Sequence, residues 1–374
     1  MRGQVDRQRE MFYVLDLEAL VPETHPLRAI KKRVDAELRR LRPHFDRAYA
    51  RVGRPSIPPE QLIKATLLQA LYTVRSERCL CEQIQYNLLY KWFLDLKPDA
   101  AAWDHSTFTK NRERFAEHGL MRRFFEGSVA AAIEAETAGD DHFSVDGTLI
   151  EAWASMKSFR PKDRNDDDEE PGGRSDSNRW VDWKGEKRSN RTHASKTDPE
   201  ARLARKGPGR EAILAHPMHA LMENRNGLIM EIEIDEANGT AERGCAERML
   251  QRLRKRHGIR PKTLGMDKGY DDGDFMDRLE KRQKIKPHVA VREGPIADLG
   301  PAGEARRRAR RRQKTRGYQM SQRVRKRVEE IFGWLKEIGG MRKARFVGRW
   351  KIQLYGYAAA ASYNFLRLAK LSAA

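Results

Sequence analysis

Cysteine is scarce: Cys79, Cys81 and Cys245 are the only three in 374 residues. They form neither a paired disulfide framework nor a zinc-ligand spacing, which leaves structural thiols in a reducing compartment. Long apolar runs are missing as well. None approaches the roughly 18 residues a membrane helix needs, and no charged-then-apolar signal peptide is present. The expectation is a soluble cytoplasmic protein with no membrane partner. Acid is the third shortage. The 54 Asp and Glu against 74 Lys and Arg give a net charge of +20 and a pI of 9.9. Such an excess points to a polyanionic partner, nucleic acid first. The chain is long enough for two domains and a sizeable core, which excludes a peptide or a linker protein.

The remainder of the chain is organised around Arg323 to Lys336, RVRKRVEEIFGWLK. Val324, Val328, Ile331 and Leu335 recur at helical spacing and predict a helix buried on one side. Arg325, Glu329 and Lys336 stack along a second face. A single helical carboxylate among bases is usually a solvated face, but two upstream aspartates answer this one. In His142 to Ile150, Phe143, Val145 and Leu149 alternate with Ser144, Asp146 and Thr148, as in a strand carrying Asp146 on its polar face. In Thr263 to Tyr270 a short apolar run ends in Asp267, at a predicted strand end. Either aspartate could simply cap a turn. Taken with Glu329, they read as three carboxylates from two strands and a helix. Carboxylates brought together repel, and divalent cations make such a cluster tolerable. Magnesium pairs held by oxygen ligands activate a nucleophile and stabilise a leaving oxygen in phosphoryl transfer. Metal-dependent attack on a phosphodiester is the predicted chemistry.

With these motifs the sequence resembles the bacterial DDE transposases of insertion sequence family 5, related to the family 4 group. The resemblance rests on Asp146 in FSVDGTLIEA, Asp267 in MDKGYD and Glu329 in RKRVEEIFGWLK, and it extends over nearly the whole chain. It implies that Asp146, Asp267 and Glu329 are catalytic and hold two Mg2+ ions, with Mn2+ able to substitute. It also implies that Arg325 and Lys336 position phosphates near the scissile bond. Relatives carry a Tyr three positions before the Arg. Here that position holds Gln322, with Tyr318 one turn further back.

The expected fold class is α/β, a ribonuclease-H-like catalytic domain over 140–374 preceded by an all-helical domain over 1–135. Pro26 to Leu41 reads as a basic helix. Ser56, Pro58 and Pro59 open a buried helix through Leu62, Ile63, Ala65, Leu67, Leu68 and Leu71. Another starts at Ser76 and closes on Trp92 and Phe93. A polar helix follows Asp104, where Lys110 and Arg112 suit a DNA groove; the weak pattern resembles helix-turn-helix readers. GRPSIPPEQLIKATLL and NLLYKWFLDL look like the N-terminal domain of these transposases, which the resemblance associates with recognising element ends and self-association. A helix through Phe124, Phe125, Val129 and Ile133 leads to the Asp146 strand.

Composition changes at about 155–210, where DDDEE, PGG and SDS predict a solvated insertion. Trp180 and Trp183 beside its bases would either stack on extruded bases or anchor the insertion to the core. Asn226-Gly227 predicts a hairpin. Thr240 would cap the next helix, with Met249, Leu250 and Leu253 inward, before the Asp267 strand, a helix over Asp274 to Arg282, and a strand over Ile285 to Val291. A basic linker is expected at about 292–320. Twelve Lys and Arg, including Arg323 and Lys326, fall in 306–327 without an acid, so this run should be disordered until it meets phosphate. Trp350, Leu354, Tyr357, Ala361, Phe365 and Leu368 give a C-terminal core helix. The expected partner is double-stranded DNA, both element ends and target. The ends are held by a homodimer in a bacterial, nucleoid-associated setting. Two other readings share the site: a transposase-derived DNA-binding protein without activity, and a metal-dependent nuclease.

Overall fold

The computed structural model describes residues 15–50, 52–162, 188–205, 207, 209, 211–237, 241–296 and 300–373. Trp180, Trp183, the acidic run near 166–170 and Thr240 lie outside them.

Among the described residues, seven helices come first. Helices α1 (Leu17–Leu20) and α2 (Pro26–Ala48) are followed by α3 (Pro59–Leu71), α4 (Glu77–Tyr86) and α5 (Leu88–Phe93), then by α6 (Ser106–Glu117) and α7 (Leu120–Glu134). In α2 the buried residues Leu27, Ile30, Val34, Leu38, Leu41 and Phe45 recur at three and four, one continuous apolar stripe. The helix runs past the expected Leu41 because this stripe continues to Phe45, and Pro43 does not end it. Helix α3 is buried nearly all round, and even its Lys64 is enclosed, bonded to Asp35 at 2.5 Å and to Asp95. Asn87 separates α4 from α5 because its carboxamide oxygen accepts the amides of Leu89 and Tyr90, which starts a new helix there.

The sheet follows. Strands β1 (His142–Glu151), β2 (Phe159–Pro161), β3 (His193–Ser195), β4 (Arg202–Ala204), β5 (Ile213–Glu223) and β6 (Leu228–Ile234) precede α8 (Ala241–His257). Next come β7 (Thr263–Met266), α9 (Gly273–Lys281) and β8 (Lys286–Val289). The main sheet is ordered β4-β5-β1-β7-β8, with β6 also on β5. Strands β1, β5 and β6 pair antiparallel, whereas β1, β7 and β8 run parallel. This is the strand order and direction of a ribonuclease-H-like domain. The predicted hairpin joins β5 to β6, with Gly227 at φ +69 and the Glu223 carboxylate accepting the amides of Arg225 and Asn226. Cys245, Met249, Leu250 and Leu253 of α8 are buried. The outer parts of the expected insertion are folded: β2 pairs with β3, β4 with β5, and Phe159 sits in a small apolar cluster with Ala152, Ala154, Ala201 and Leu214.

Helices α10 (Gly300–Arg312), α11 (Arg316–Arg325), α12 (Arg327–Glu337) and α13 (Arg349–Ala373) complete the chain. The basic run is therefore not a disordered linker. Ala305 and Ala309 are buried, and arginines of α10 pair with acids of α9: Arg308 with Asp277 and Glu280, Arg312 with Glu280. Acids distant in sequence neutralise the run, and local charge counting does not see them. The predicted helix Arg323 to Lys336 is interrupted at Lys326, and Val328, Ile331 and Leu335 are its buried face. In α13 the apolar stripe is displaced from the expected one. Trp350 is 40% exposed, and Ile352, Tyr355 and Ala358 to Ala361 take the core positions ahead of Phe365 and Leu368. This helix packs on α2, α3, α6 and α7 as well as on β6, so one hydrophobic core runs from the helical layer into the sheet.

Candidate active site

Strands β1 and β7 bring the two aspartates together. Their register pairs Ser144 with Gly265, and two residues further along each strand are Asp146 and Asp267. Asp267 follows the last residue of β7 and accepts the amide of Gly269 at 2.8 Å, so the expected turn-capping role and a place beside Asp146 coexist. Glu329, in the first turn of α12, is exposed above the buried Val328, Ile331 and Leu335, and α12 lies against β1. Burial raises Asp146 above the ordinary carboxylate range, and the charges of Asp267 and Glu329 raise it further. The Gly147 amide, at 2.8 Å, and the Arg325 guanidinium act in the opposite direction. At ~5 Å and an effective dielectric near 20, two carboxylates repel by about 3 kcal/mol, so a three-acid cluster needs positive charge to be comfortable.

Arg325 supplies part of it, with Nη1 3.1 Å from Asp146 Oδ2. Its orientation is set by Gln322. The Gln322 amide nitrogen donates to the carbonyls of His288 (2.8 Å) and Met266 (3.2 Å), at the ends of β8 and β7. Its Oε1 accepts from Arg325 Nε at 3.2 Å. Lys336, two turns beyond Glu329, donates to Thr148 Oγ1 at 2.6 Å, two residues along β1 from Asp146.

The sequence matches the family described as "Transposase DDE domain" over residues 174–365, and the "Transposase domain (DUF772)" over residues 15–114. The chain belongs to the transposase DDE domain family. It is a DDE-type DNA transposase of an insertion sequence. The matched span contains Asp267 and Glu329 and begins after Asp146. No curated protein matches the sequence. Among solved structures the transposase is similar to "Cryo-EM structure of piggyBac transposase synaptic complex with hairpin DNA (SNHP)", at 12% identity and TM-score 0.40, covering 93% of this chain and 76% of that one. It is also similar to "Mos1 transposase paired-end complex with left transposon end", at 10% identity and TM-score 0.21, covering 78% and 83%.

Other predicted contact residues of the transposase divide by exposure. Lys110 on α6, Arg323 on α11 and Lys326 at the helix junction are exposed. Arg112 departs from the expectation. It is turned into the helical layer, 8% exposed, bonded to Glu77 and stacked 4.2 Å from the Phe346 ring, so it does not offer its guanidinium to a groove. Phe108, four residues before it, and Phe115, three after, mark the inward face of α6 and could have signalled this.

Two features near the aspartates were not read from the sequence. Glu242, in the first turn of α8, is influenced by both Asp267 and Asp146. It precedes the buried Cys245 and Met249 by three and seven residues, a helical spacing that was legible. Tyr270 is fully enclosed, with a hydroxyl that has no hydrogen-bond partner among the described residues. A separate group, Glu233, Asp235 and Cys245, brings ligand atoms within 4.8 Å of one another. Its carboxylates are already paired with Arg248, Arg252 and Arg349, which makes it an ion-pair lattice. The oxygen-only donor set of Asp146, Asp267 and Glu329 fits a hard divalent cation better. Among the described residues no helix is long and apolar enough to cross a membrane.

Proposed function

We propose that this transposase is of the insertion sequence family 5 group, and that it binds the terminal inverted repeats of its element, cuts there and joins the freed 3′-hydroxyls to target DNA. Asp146, Asp267 and Glu329 would hold two magnesium ions, with manganese able to substitute. Bound there, the ions supply activation of an attacking water or hydroxyl and stabilisation of the leaving oxygen. The single observation carrying this reading is that the β1–β7 register sets Asp267 beside Asp146, and that the charges of both Asp267 and Glu329, far apart in sequence, reach Asp146.

The remaining work belongs to the protein's own side chains. Arg325, braced by Gln322 against the ends of β7 and β8, presents a planar guanidinium beside Asp146, suited to gripping the oxygens of the scissile phosphate. Lys336, anchored on Thr148, adds a point charge on the same side. Arg323 and Lys326, exposed next to this pair, take flanking phosphates, and Lys110 does the same from α6. Such positioning turns attack on the phosphodiester into a near-intramolecular event. Coordinated cutting of two ends requires two copies, so a homodimer forms on DNA in the bacterial nucleoid.

The test is a labelled duplex carrying the element's own terminal repeat, incubated with a target plasmid and either Mg2+ or EDTA. Joined products that appear with Mg2+, vanish with EDTA and vanish when the 3′ end is a dideoxynucleotide are expected. Cutting without joining would replace this reading with a nuclease, and binding without cutting would replace it with a DNA-binding derivative.

A further inference from the structure

Helix α8 begins beside the carboxylate cluster and carries a fourth acid into it. Glu242 is its second residue, and partial burial together with the charges of Asp267 and Asp146 raises its carboxyl above the ordinary range. An acid in a first helical turn is commonplace, because it complements the helix dipole. Such a residue has no reason to face two other carboxylates. Glu242 does so without an ion pair among the described residues, while the neighbouring Arg243 reaches instead to Asp272 at 2.7 Å.

The space between Glu242 and Asp267 is kept open by Gly269. A Cβ placed there would lie 3.1 Å from Asp267 Oδ1 and 3.2 Å from Glu242 Oε2, so the two carboxylates border one gap that a side chain would occupy. Tyr270, next in the chain, is 1% exposed. Its hydroxyl, which has no hydrogen-bond partner among the described residues, lies within the electrostatic influence of Glu242, Asp146 and Asp267. A buried hydroxyl with nothing to bond is an unfavourable arrangement unless a group is brought to it in the working state.

Resting on the metal centre proposed above, we propose that Glu242 is a fourth carboxylate of that centre, sharing one divalent cation with Asp267, and that Tyr270 donates to the carboxylate drawn toward it. Glu242 is then a ligand, direct or through water, and Tyr270 a positioning residue.

Manganese titrated into the full-length protein, with free Mn2+ followed by electron paramagnetic resonance, tests this without any turnover. Glu242→Gln is expected to weaken Mn2+ binding by about tenfold or more. Gly269→Ala should weaken it too by filling the gap, and Asp274→Asn, an exposed acid on α9, should leave it unchanged. Melting in EDTA separates ligand from scaffold. Removing a repelled carboxylate should leave the melting temperature of Glu242→Gln equal or higher, whereas a merely structural first-turn acid would lower it and leave Mn2+ binding intact. Wild-type affinity in both Glu242→Gln and Gly269→Ala, alongside loss in Asp267→Asn, would overturn the role of Glu242 alone. A wild type whose manganese uptake is no stronger than that of Asp267→Asn would overturn the metal centre itself.

Discussion

Helices α10 and α11 are cut from one basic run yet meet opposite fates. In α10, Arg308 and Arg312 are satisfied by Asp277 and Glu280 of α9, and Arg306 lies on Asp271 at 3.0 Å. In α11 and the junction after it, Arg323 and Lys326 are exposed and pair with no acid among the described residues, while Arg325 goes to Asp146, a carboxylate that also feels the charges of Asp267 and Glu329. The difference teaches that a count of bases does not locate a nucleic-acid surface. What decides is whether the fold delivers acids to them: α9 delivers Asp277 and Glu280 to α10 and the turn before α9 delivers Asp271, whereas Arg323 and Lys326 receive none among the described residues.

The widest expected gap between the two helices is in catalysis. Arg325→Ala should slow end cleavage by roughly 10²–10³-fold with little loss of end binding, since a guanidinium aimed at developing charge acts mainly in the transition state. Arg308→Ala should leave the cleavage rate nearly unchanged and instead lower folding stability by about 1–2 kcal/mol, because its pairs are only partly shielded from water. Single-turnover cleavage and urea titration of both variants check this. Equal cleavage losses would erase the distinction.

A second contrast lies in pH dependence. The acids facing α10 are paired, whereas Asp146 carries a raised pKa. Folded protein therefore keeps a proton on Asp146 at a pH where the unfolded chain has released it. Stability without metal should fall as pH rises from the unfolded aspartate value through the raised folded one, and remain lower above it. In EDTA, Asp146→Asn should remove this slope and melt higher than wild type at pH 8. A lower melting temperature would mean that the Arg325 pair outweighs burial and repulsion. His288 responds in the opposite sense. Burial lowers its pKa to about 4, so its contribution is present at neutral pH and is lost as pH falls from about 6.5 toward 4. Its ring faces His142 and Tyr318, so melting of the α11 seam is expected first in acid.

The smallest effect is in salt dependence. Arg323→Ala and Lys326→Ala should each reduce the slope of log affinity against log salt by about one, uniformly across DNA sequences, and Arg308→Ala by none. Filter binding at several salt concentrations reads this directly.

Much of the architecture was legible because it rests on periodicity. The α2 stripe, the Asn226-Gly227 hairpin, and the alternation of strand and helix from Asp146 to α10 all follow from patterns within a few residues. Asp146, Asp267 and Glu329 were legible as candidates for another reason: each is a carboxylate carried by a periodic element, Asp146 on the polar face of a strand, Asp267 at the end of one and Glu329 on the second face of a helix. The errors share one cause, partners distant in sequence. The fold of α10 depends on acids that precede it by some thirty residues. Arg112 is drawn inward by Glu77 and Phe346, and Gln322 is held by carbonyls at the ends of β7 and β8. Glu242 was readable from its spacing to Cys245, but only a folded α8 sets it beside Asp267.

The central claim is that Asp146, Asp267 and Glu329 form one catalytic centre, and Glu329→Gln tests it most directly. Glu329 is exposed on α12 above an intact apolar face, so the substitution should leave folding and end binding as they are. With the terminal-repeat duplex and Mg2+, the account predicts that cleavage falls by at least about 10³-fold while the bound fraction is unchanged. Wild-type cleavage by Glu329→Gln would contradict the account and remove α12 from the active site.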